Sequence, residues 1–177
     1  DASLYQKGDK IKLTQTTVKY FYVVGVADTV LTVTGGSDYT VANATITSPY
    51  YSKVENPQGF PHWFNYTPTY GAGGSMTYTS VSTTYAQFFV QGNMVTVTVK
   101  AEGTTGGTAS SYIYAMAPTN LYPNDNYSGN CEVHSASTVA GFMQLLTSGV
   151  LAGFKYDSSN FGLGGERRLR FSVIYEY

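Results

Sequence analysis

"SMTYTSVSTTYAQFFVQ" (residues 75–91) and "MVTVTVKAEG" (residues 94–103) are two strand-like segments separated only by Gly92-Asn93. Apolar and polar residues alternate strictly from Val95 to Val99, and this period of two is typical of a strand with one buried face. A two-residue turn of glycine and asparagine joins antiparallel strands into a hairpin. The stretch therefore predicts a long β-hairpin in an all-β protein.

The composition of the chain favours the same fold class. The 177 residues include 17 Tyr, 9 Phe and 19 Gly; aromatic residues suit strands, and glycine suits the turns between them. Charged residues make up only 12% of the chain and the net charge is -1, so we expect no nucleic-acid partner. No apolar stretch reaches the ~20 residues that a membrane helix needs, so we expect no membrane insertion.

Two further features of the sequence concern its covalent chemistry and its origin. Cys131 is the only cysteine, which excludes an intramolecular disulfide and a multi-cysteine zinc site. We interpret it as a buried structural thiol. The chain starts at Asp1 and not at methionine, which is typical of a processed chain or an excised domain.

Strand patterns on both sides of the hairpin divide the chain into two parts. Upstream, "KIKLTQ" and "VKYFYVVGV" read as strands, and "TVLTVTGGSDYTV" reads as strand, turn, strand. The segment from Thr47 to Pro68 holds four of the six prolines and predicts a connection, because proline cannot complete a strand ladder. Downstream, strands are predicted at residues 110–117, 130–136, 149–157 and 169–177. Residues 137–146 are the one helix candidate, which Gly141 weakens.

These patterns predict an all-β fold with two units. Residues 1–58 form a small N-terminal β subdomain and connection, and residues 59–177 form an antiparallel, jelly-roll-like β-sandwich. The spacing of short strands and turn signals favours this architecture.

Several elements of the second unit resemble a module found at the C-termini of tailed-bacteriophage structural proteins. The resemblance runs through "WFNYTPTY" (63–70), "YAQFFVQGNMVTVTV" (85–99), "YIYAMAPTN" (112–120) and the final strand. The matching positions are Trp63, Thr67, Pro68, Thr69, Phe88, Gly92, Val95, Val97, Pro118, Phe171, Ser172, Tyr175 and Glu176.

The resemblance implies a virion component, such as a tail fibre, baseplate or other host-facing appendage, on the outside of the particle. It implies a homotrimer with other virion proteins as partners, and it does not imply a catalytic activity. We expect no enzyme activity and no cofactor. Two function classes follow: a host-recognition module that binds a cell-surface glycan or protein, and an architectural capsid decoration, head fibre or spacer protein.

The cluster "GFPHWFNYTPTY" (59–70) has two interpretations. In the favoured one, Trp63 and Phe64 turn inward and Pro68 fixes the chain direction, so that the three residues form a structural seam. In the other, Trp63, Tyr66 and Tyr70 form an aromatic platform that stacks on sugars.

No arrangement in the sequence predicts catalysis or metal binding. The carboxylates are scattered, and a Ser-His-Asp triad through His134 and Asp125 or Asp157 lacks a nucleophile motif. The loop "PNDNYSGN" (123–130) is rich in oxygen-bearing side chains but lacks the carboxylate spacing of an EF-hand. The run "ERRLR" (166–170) favours a solvated strand face over an anion or partner contact.

The best candidate ligand-binding residues lie in one loop, which we expect at the far end of the sandwich. Tyrosines there would stack on sugar rings, while amides and a carboxylate would bind hydroxyl groups. The residues are Tyr122, Asn124, Asp125, Asn126 and Tyr127.

Overall fold

The computed structural model describes residues 2–135 and 138–177. Strands account for 58% of the residues, and the described residues contain no α-helix beyond a 3-10 turn at Ala2–Leu4. The predicted all-β class and antiparallel sandwich are confirmed. The described residues do not include Asp1 or residues 136 and 137. Residue 136 ends the strand predicted at 130–136, and residue 137 begins the helix predicted at 137–146.

A four-stranded antiparallel sheet forms the N-terminal part, in the order β3-β2-β1-β4. Its strands are β1 (Lys10–Gln15), β2 (Thr17–Ala27), β3 (Val30–Thr34) and β4 (Thr47–Ser52). The second strand expected in "TVLTVTGGSDYTV" does not form, since Tyr39 makes only an isolated bridge with Gly35. The side chain of Asp38 instead accepts hydrogen bonds from Asn65, which ties this segment to the sandwich.

A nine-stranded antiparallel sheet forms the rest, in the order β5-β7-β8-β13-β10-β11-β12-β9-β6. Its strands are β5 (Phe64–Asn65), β6 (Tyr70–Ala72), β7 (Met76–Gln91), β8 (Met94–Gly107), β9 (Tyr112–Met116), β10 (Tyr127–Ser135), β11 (Thr138–Leu145), β12 (Val150–Lys155) and β13 (Glu166–Glu176). The sheet folds over, so that β6 at one end of the order lies beside β7 near the other end. There the hydroxyl groups of Tyr70 and Thr83 lie 2.8 Å apart.

The long β7-β8 hairpin forms in this sheet as its alternation predicts. Val97 of β8 lies opposite Phe88 of β7 on one side and Val173 of β13 on the other. Phe88 and Val97 are fully buried, while Thr96 and Thr98 are partly exposed. Adjacent strands with the same inward face therefore build a continuous core from local period-two patterns.

The helix expected at residues 137–146 is wrong, because β11 occupies residues 138–145 between β10 and β12. Gly141, Met143 and Leu145 are buried while Gln144 is exposed, which is a period of two. A side chain at Gly141 would come within 2.3 Å of the Phe154 carbonyl. The glycine therefore permits close strand pairing there.

The segment from Thr47 to Pro68 is not only a connection, because β4 and β5 lie within it. β4 is an edge strand that pairs with β1 alone, and an edge tolerates Pro49 because one side of the strand needs no ladder hydrogen bond. The two sheets lie on either side of the predicted boundary at residue 58. The division into separate domains stays a prediction, since one cluster of buried residues includes both Tyr22 and Phe88.

Candidate functional site

The seam residues separate into buried and exposed positions. Phe64 is fully buried and Pro68 is buried, but Trp63 is 36% exposed. The expectation that Trp63 turns inward is therefore wrong. Neighbouring residues of an extended chain point to opposite sides; since Phe64 takes the inner side, Trp63 packs edge-on against Phe89 on the outside, with ring centroids 4.7 Å apart.

The alternative platform of Trp63, Tyr66 and Tyr70 does not form either. Tyr66 is only 8% exposed. The ring of Tyr70 packs edge-on against Tyr78, with centroids 6.2 Å apart. The exposed aromatic contact near Trp63 is made with His62 and Phe89 instead, and the ring of His62 stacks on Phe89 at 4.6 Å.

The predicted loop is held mainly by structural bonds. The backbone N–H of Asn124 donates to the Glu176 carbonyl at 3.0 Å. The side-chain oxygen of Asn126 accepts from the Thr147 N–H at 3.0 Å. Asp125 accepts from the N–H of Asn126 at 2.7 Å, so much of the polar chemistry assigned to ligand hydroxyls is used within the protein.

The two tyrosines of the loop differ in their surroundings. Tyr127 begins β10 and is half-buried; its ring lies 6.2 Å from that of Tyr175, and its hydroxyl accepts from the N–H of Glu176. Tyr122 is 39% exposed and lines a cavity. Only Tyr122 keeps an open ring that a ligand can contact.

The position expected for this loop, at the far end of the sandwich, is wrong. Tyr122 shares its cavity with Thr34 and Ser37 of the N-terminal part. The loop therefore lies at the end of the sandwich that faces the four-stranded sheet. Its attachment to Glu176 explains this, because Glu176 pairs with Met94 beside the hairpin turn, and Gly92 in that turn contacts Gly8 of the N-terminal part.

The cavity between the two sheets has a volume of about 360 Å³, and we call it the hydroxyl-lined cavity. Five aliphatic hydroxyl side chains line it, those of Thr34, Ser37, Thr67, Thr69 and Thr119. Met116, Pro118 and the ring of Tyr122 supply apolar surface, and Tyr66 also contributes to the wall. None of the described residues that line the cavity is charged.

Backbone contacts hold the walls of the cavity in place. The N–H of Ser37 donates to the Asn65 carbonyl at 2.7 Å, and that of Met116 donates to the Thr69 carbonyl at 2.8 Å. Gly36 has a φ of 61°, and a side chain there would lie 2.0 Å from the Asn65 carbonyl. The ring of Tyr122 packs closely on Gly149, where an added side chain would lie 2.5 Å from the ring. The cavity is therefore formed before any ligand binds.

Two hydroxyl groups at the cavity have no hydrogen-bond partner among the described residues. Neither Thr67 nor Thr119 makes a hydrogen bond to another residue in the described part of the chain. The hydroxyl of Tyr66 is buried and likewise lacks a described partner. Burial raises the pKa of Tyr66 well above its usual value, so the phenol stays neutral and retains its proton. The cavity can donate and accept hydrogen bonds without carrying charge.

The ion pairs of the described residues lie elsewhere, on the outer face of β8, β10 and β13. Arg168 forms ion pairs with Glu102 and Glu166, and Arg170 pairs with Glu132 at 3.2 Å. Arg167, also in the "ERRLR" run, is buried and donates to the Gly162 carbonyl. Arg168 and Arg170 therefore lie on the outer face of β13, as expected, whereas Arg167 lies on its buried face.

The other chemical candidates are dispersed. Asp125 and His134 lie near opposite ends of β10, and at ~3.3 Å per residue a strand of this length separates them too far for a triad. Asp157 accepts hydrogen bonds from Ser159. Cys131 is partly buried and burial raises its pKa to about 11. In residues 2–135 and 138–177, no three His, Cys, Asp or Glu side chains gather into a possible metal site.

The sequence pointed to Tyr122 as a ligand-binding residue but not to the threonines opposite it. Thr67, Thr69 and Thr119 each adjoin a proline, in "YTPTY" and "MAPTN". That repeated threonine-proline context was the available signal, but it does not reveal that the two segments meet at Thr34 and Ser37.

Comparison with protein-family models, curated proteins and solved structures finds no match to this chain. The resemblance to the phage module stays a prediction. Across the described residues, no helix has the length and apolar character needed to cross a membrane.

Proposed function

We propose that this protein is a bacteriophage virion component that acts as a host-recognition module and binds a neutral cell-surface glycan in the hydroxyl-lined cavity. The observation that carries the proposal is the lining of that cavity: five aliphatic hydroxyl groups, an open tyrosine ring and no charged side chain. The phage context is drawn from the sequence resemblance described above.

The chemistry of the lining matches that of a neutral sugar. A sugar ring has an apolar face, which stacks on aromatic surface such as Tyr122, and a rim of hydroxyl groups, which exchange hydrogen bonds with threonine and serine. Thr67 and Thr119 make no described bond within the protein, so binding costs them no internal partner. An acidic sugar would bring a charge to a site without a cation to stabilise it.

The size and rigidity of the cavity also suit a small ligand. Its volume of about 360 Å³ falls at the lower end of the ~300–1,000 Å³ typical of ligand sites. Because backbone bonds at Ser37 and Met116 hold its walls, little ordering is required on binding. One or two sugar residues of a longer glycan would occupy it.

The test is titration of the protein with glucose, galactose and N-acetylglucosamine, followed by NMR at the amides of Thr67, Thr119 and Tyr122. At least one sugar should shift these signals with a millimolar Kd. Replacing Tyr122 with alanine should raise that Kd at least tenfold, whereas Tyr156→Ala should leave it unchanged, since Tyr156 is exposed and outside the cavity. Absence of shifts for all three sugars, or equal binding by the Tyr122 variant, would contradict the proposal.

An architectural role is the second candidate, favoured by exposed apolar side chains on the N-terminal part. Val41, Ile46, Tyr50, Tyr51 and Val54 are all exposed, and such surface in a virion protein is covered by neighbouring subunits. We propose a homotrimer that contacts other virion proteins. Light scattering should find a trimer at micromolar concentration, and a stable monomer would contradict it. Electron microscopy of the intact particle separates the two roles: a tail-tip position supports recognition and a capsid-lattice position supports architecture.

A further inference from the structure

A second concave surface lies on the N-terminal part and has a different chemistry. A groove of about 200 Å³ runs between the face of β1 and β4 and the segment 57–60. Its lining includes Lys10, Lys12, Tyr20, Tyr50, Tyr51 and Phe60. We call it the lysine groove. Two cations and no carboxylate lie among the described residues that form it, in a protein where charged residues are scarce.

Strand geometry places the two lysines side by side. Lys10 and Lys12 are two residues apart on β1, so their side chains point to the same face of the sheet. Lys10 lies opposite Tyr22 on β2, and Lys12 lies opposite Tyr20 on β2 and Tyr50 on β4. The face therefore presents two ammonium groups among tyrosine rings.

Within residues 2–135 and 138–177, no acceptor takes a hydrogen bond from the ammonium groups of these two lysines. Lys7, Lys19 and Lys155 each donate to a backbone carbonyl. Lys10 and Lys12, in contrast, have no hydrogen bond or ion pair from their ammonium groups to another described residue. Instead they lie over aromatic rings, Lys10 at 5.8 Å from the Tyr22 centroid and Lys12 at 5.9 Å from that of Tyr50.

Burial makes this arrangement costly for Lys10 in the absence of an anion. Lys10 is only 4% exposed, and a buried ammonium is unfavourable unless it is paired. Burial lowers the pKa of Lys10, and the charges of Glu55 and Asp9 offset this in part. Those two carboxylates line a neighbouring cavity that also touches Lys10, and neither approaches its ammonium closely enough to form an ion pair in the described structure.

We propose that the lysine groove binds an acidic monosaccharide, with Lys10 and Lys12 donating to its carboxylate. Tyr20, Tyr50 and Phe60 supply the apolar surface for the sugar ring, and Ser52 and Gln58, which also line the groove, are available to its hydroxyl groups. A lysine ammonium pairs with a single anionic group as a point charge. The groove volume of about 200 Å³ suits a single sugar ring.

This inference is independent of the neutral-sugar proposal. The lysine groove and the hydroxyl-lined cavity have no lining residue in common. The ligands expected at the two sites differ in charge, and each site is tested with its own variants. A negative result at one site therefore does not contradict the proposal for the other.

The experiment is titration of the full chain with glucuronate, with glucose as the uncharged match and glucose 6-phosphate as the phosphate-bearing one. NMR of the lysine side chains reports on Lys10 and Lys12 directly. Glucuronate should bind with a millimolar Kd that weakens several-fold between low salt and 0.5 M salt, since salt screens such charge pairs. Glucose should bind at least tenfold more weakly in the groove.

Matched lysine variants complete the test. Lys12→Met and Lys10→Met should each raise the Kd for glucuronate at least fivefold. Lys100→Met, on β8 outside the groove, should leave it unchanged. Lys10 is buried, so Lys10→Met is informative only if that variant folds. If it does not fold, Lys12→Met decides, because Lys12 is exposed and its replacement should not disturb folding. Equal binding of glucose and glucuronate, no binding of glucuronate, or unchanged binding by Lys12→Met overturns the proposal. Tighter binding of glucose 6-phosphate than of glucuronate overturns the assignment of a carboxylate.

Discussion

The nine-stranded sheet builds its core from its own strands, whereas the four-stranded sheet relies on its neighbour for much of its burial. Phe88, Val97, Ile113, Leu151 and Leu169 are fully buried inside the folded sandwich. The small sheet buries Leu13, Phe21 and Val23 separately, but Tyr22 and Val24 belong to the sandwich cluster.

The contact between the two sheets is aromatic. Tyr22 of the small sheet lies 5.0 Å from the ring of Phe64 and 5.2 Å from that of Phe60, and Phe64 lies 5.9 Å from Phe88. Tyr22 and Val24 of the small sheet are buried in the sandwich cluster, so docking on the sandwich adds to the stability of the small sheet. The small sheet therefore depends on docking for part of its burial, and the hydroxyl-lined cavity exists only while the two sheets are docked.

The largest effect is expected for Phe64→Ala. Its ring is fully buried and touches both sheets, so truncation should lower the free energy of unfolding by about 3–5 kcal/mol. Trp63→Ala is the matched control, because Trp63 is 36% exposed and should cost about 1 kcal/mol or less. Denaturant unfolding measures both, and equal losses would show that the aromatic contact does not join the sheets as described.

A smaller effect is expected at alkaline pH from Tyr22. Burial raises its pKa from 10.0 to about 12, so the folded protein holds the neutral phenol more strongly than the unfolded chain does. This contribution is complete below pH 10 and is lost as pH rises through about 12. Two pKa units correspond to roughly 3 kcal/mol. Tyr22→Phe, which cannot ionise, should therefore lose less stability than the parent over that interval; parallel pH curves for the two proteins would contradict this.

The smallest effect is expected from a pair of glycines with positive φ. Gly36 (φ 61°) faces the Asn65 carbonyl, whereas Gly74 (φ 56°) has nothing within 4 Å of an added side chain. Alanine at Gly74 should cost about 1 kcal/mol from its backbone conformation. Alanine at Gly36 should cost about 1–3 kcal/mol, since the turn must also move away from β5. Thermal unfolding compares them, and a Gly36 variant no less stable than the Gly74 variant would refute close docking at this turn.

Much of the strand content was predictable because strand periodicity is local. The hairpin of β7 and β8 and the last strand follow from alternation within each segment. The helix expected at 137–146 was wrong because a single glycine-containing apolar run fits either structure. The run forms a strand because it pairs with β10 on one side and β12 on the other.

Site prediction was less successful because exposure and position are not local. Trp63 and Phe64 are equally apolar, yet only Phe64 is buried. Tyr122 and Tyr127 lie in one loop, yet only Tyr122 lines the cavity. The sequence does not show which neighbouring strand will cover each side chain.

The fold class, the β7-β8 hairpin and the scarcity of charge follow from the amino-acid sequence, because composition and period-two alternation act within single strands. The two concave sites arise only from tertiary contacts. Thr34 meets Thr67 and Thr119 only through docking of the two sheets, and Lys10 is buried only because β2, β4 and the segment 57–60 surround it. Both sites depend on contacts between residues far apart in the chain, which form when the whole core closes.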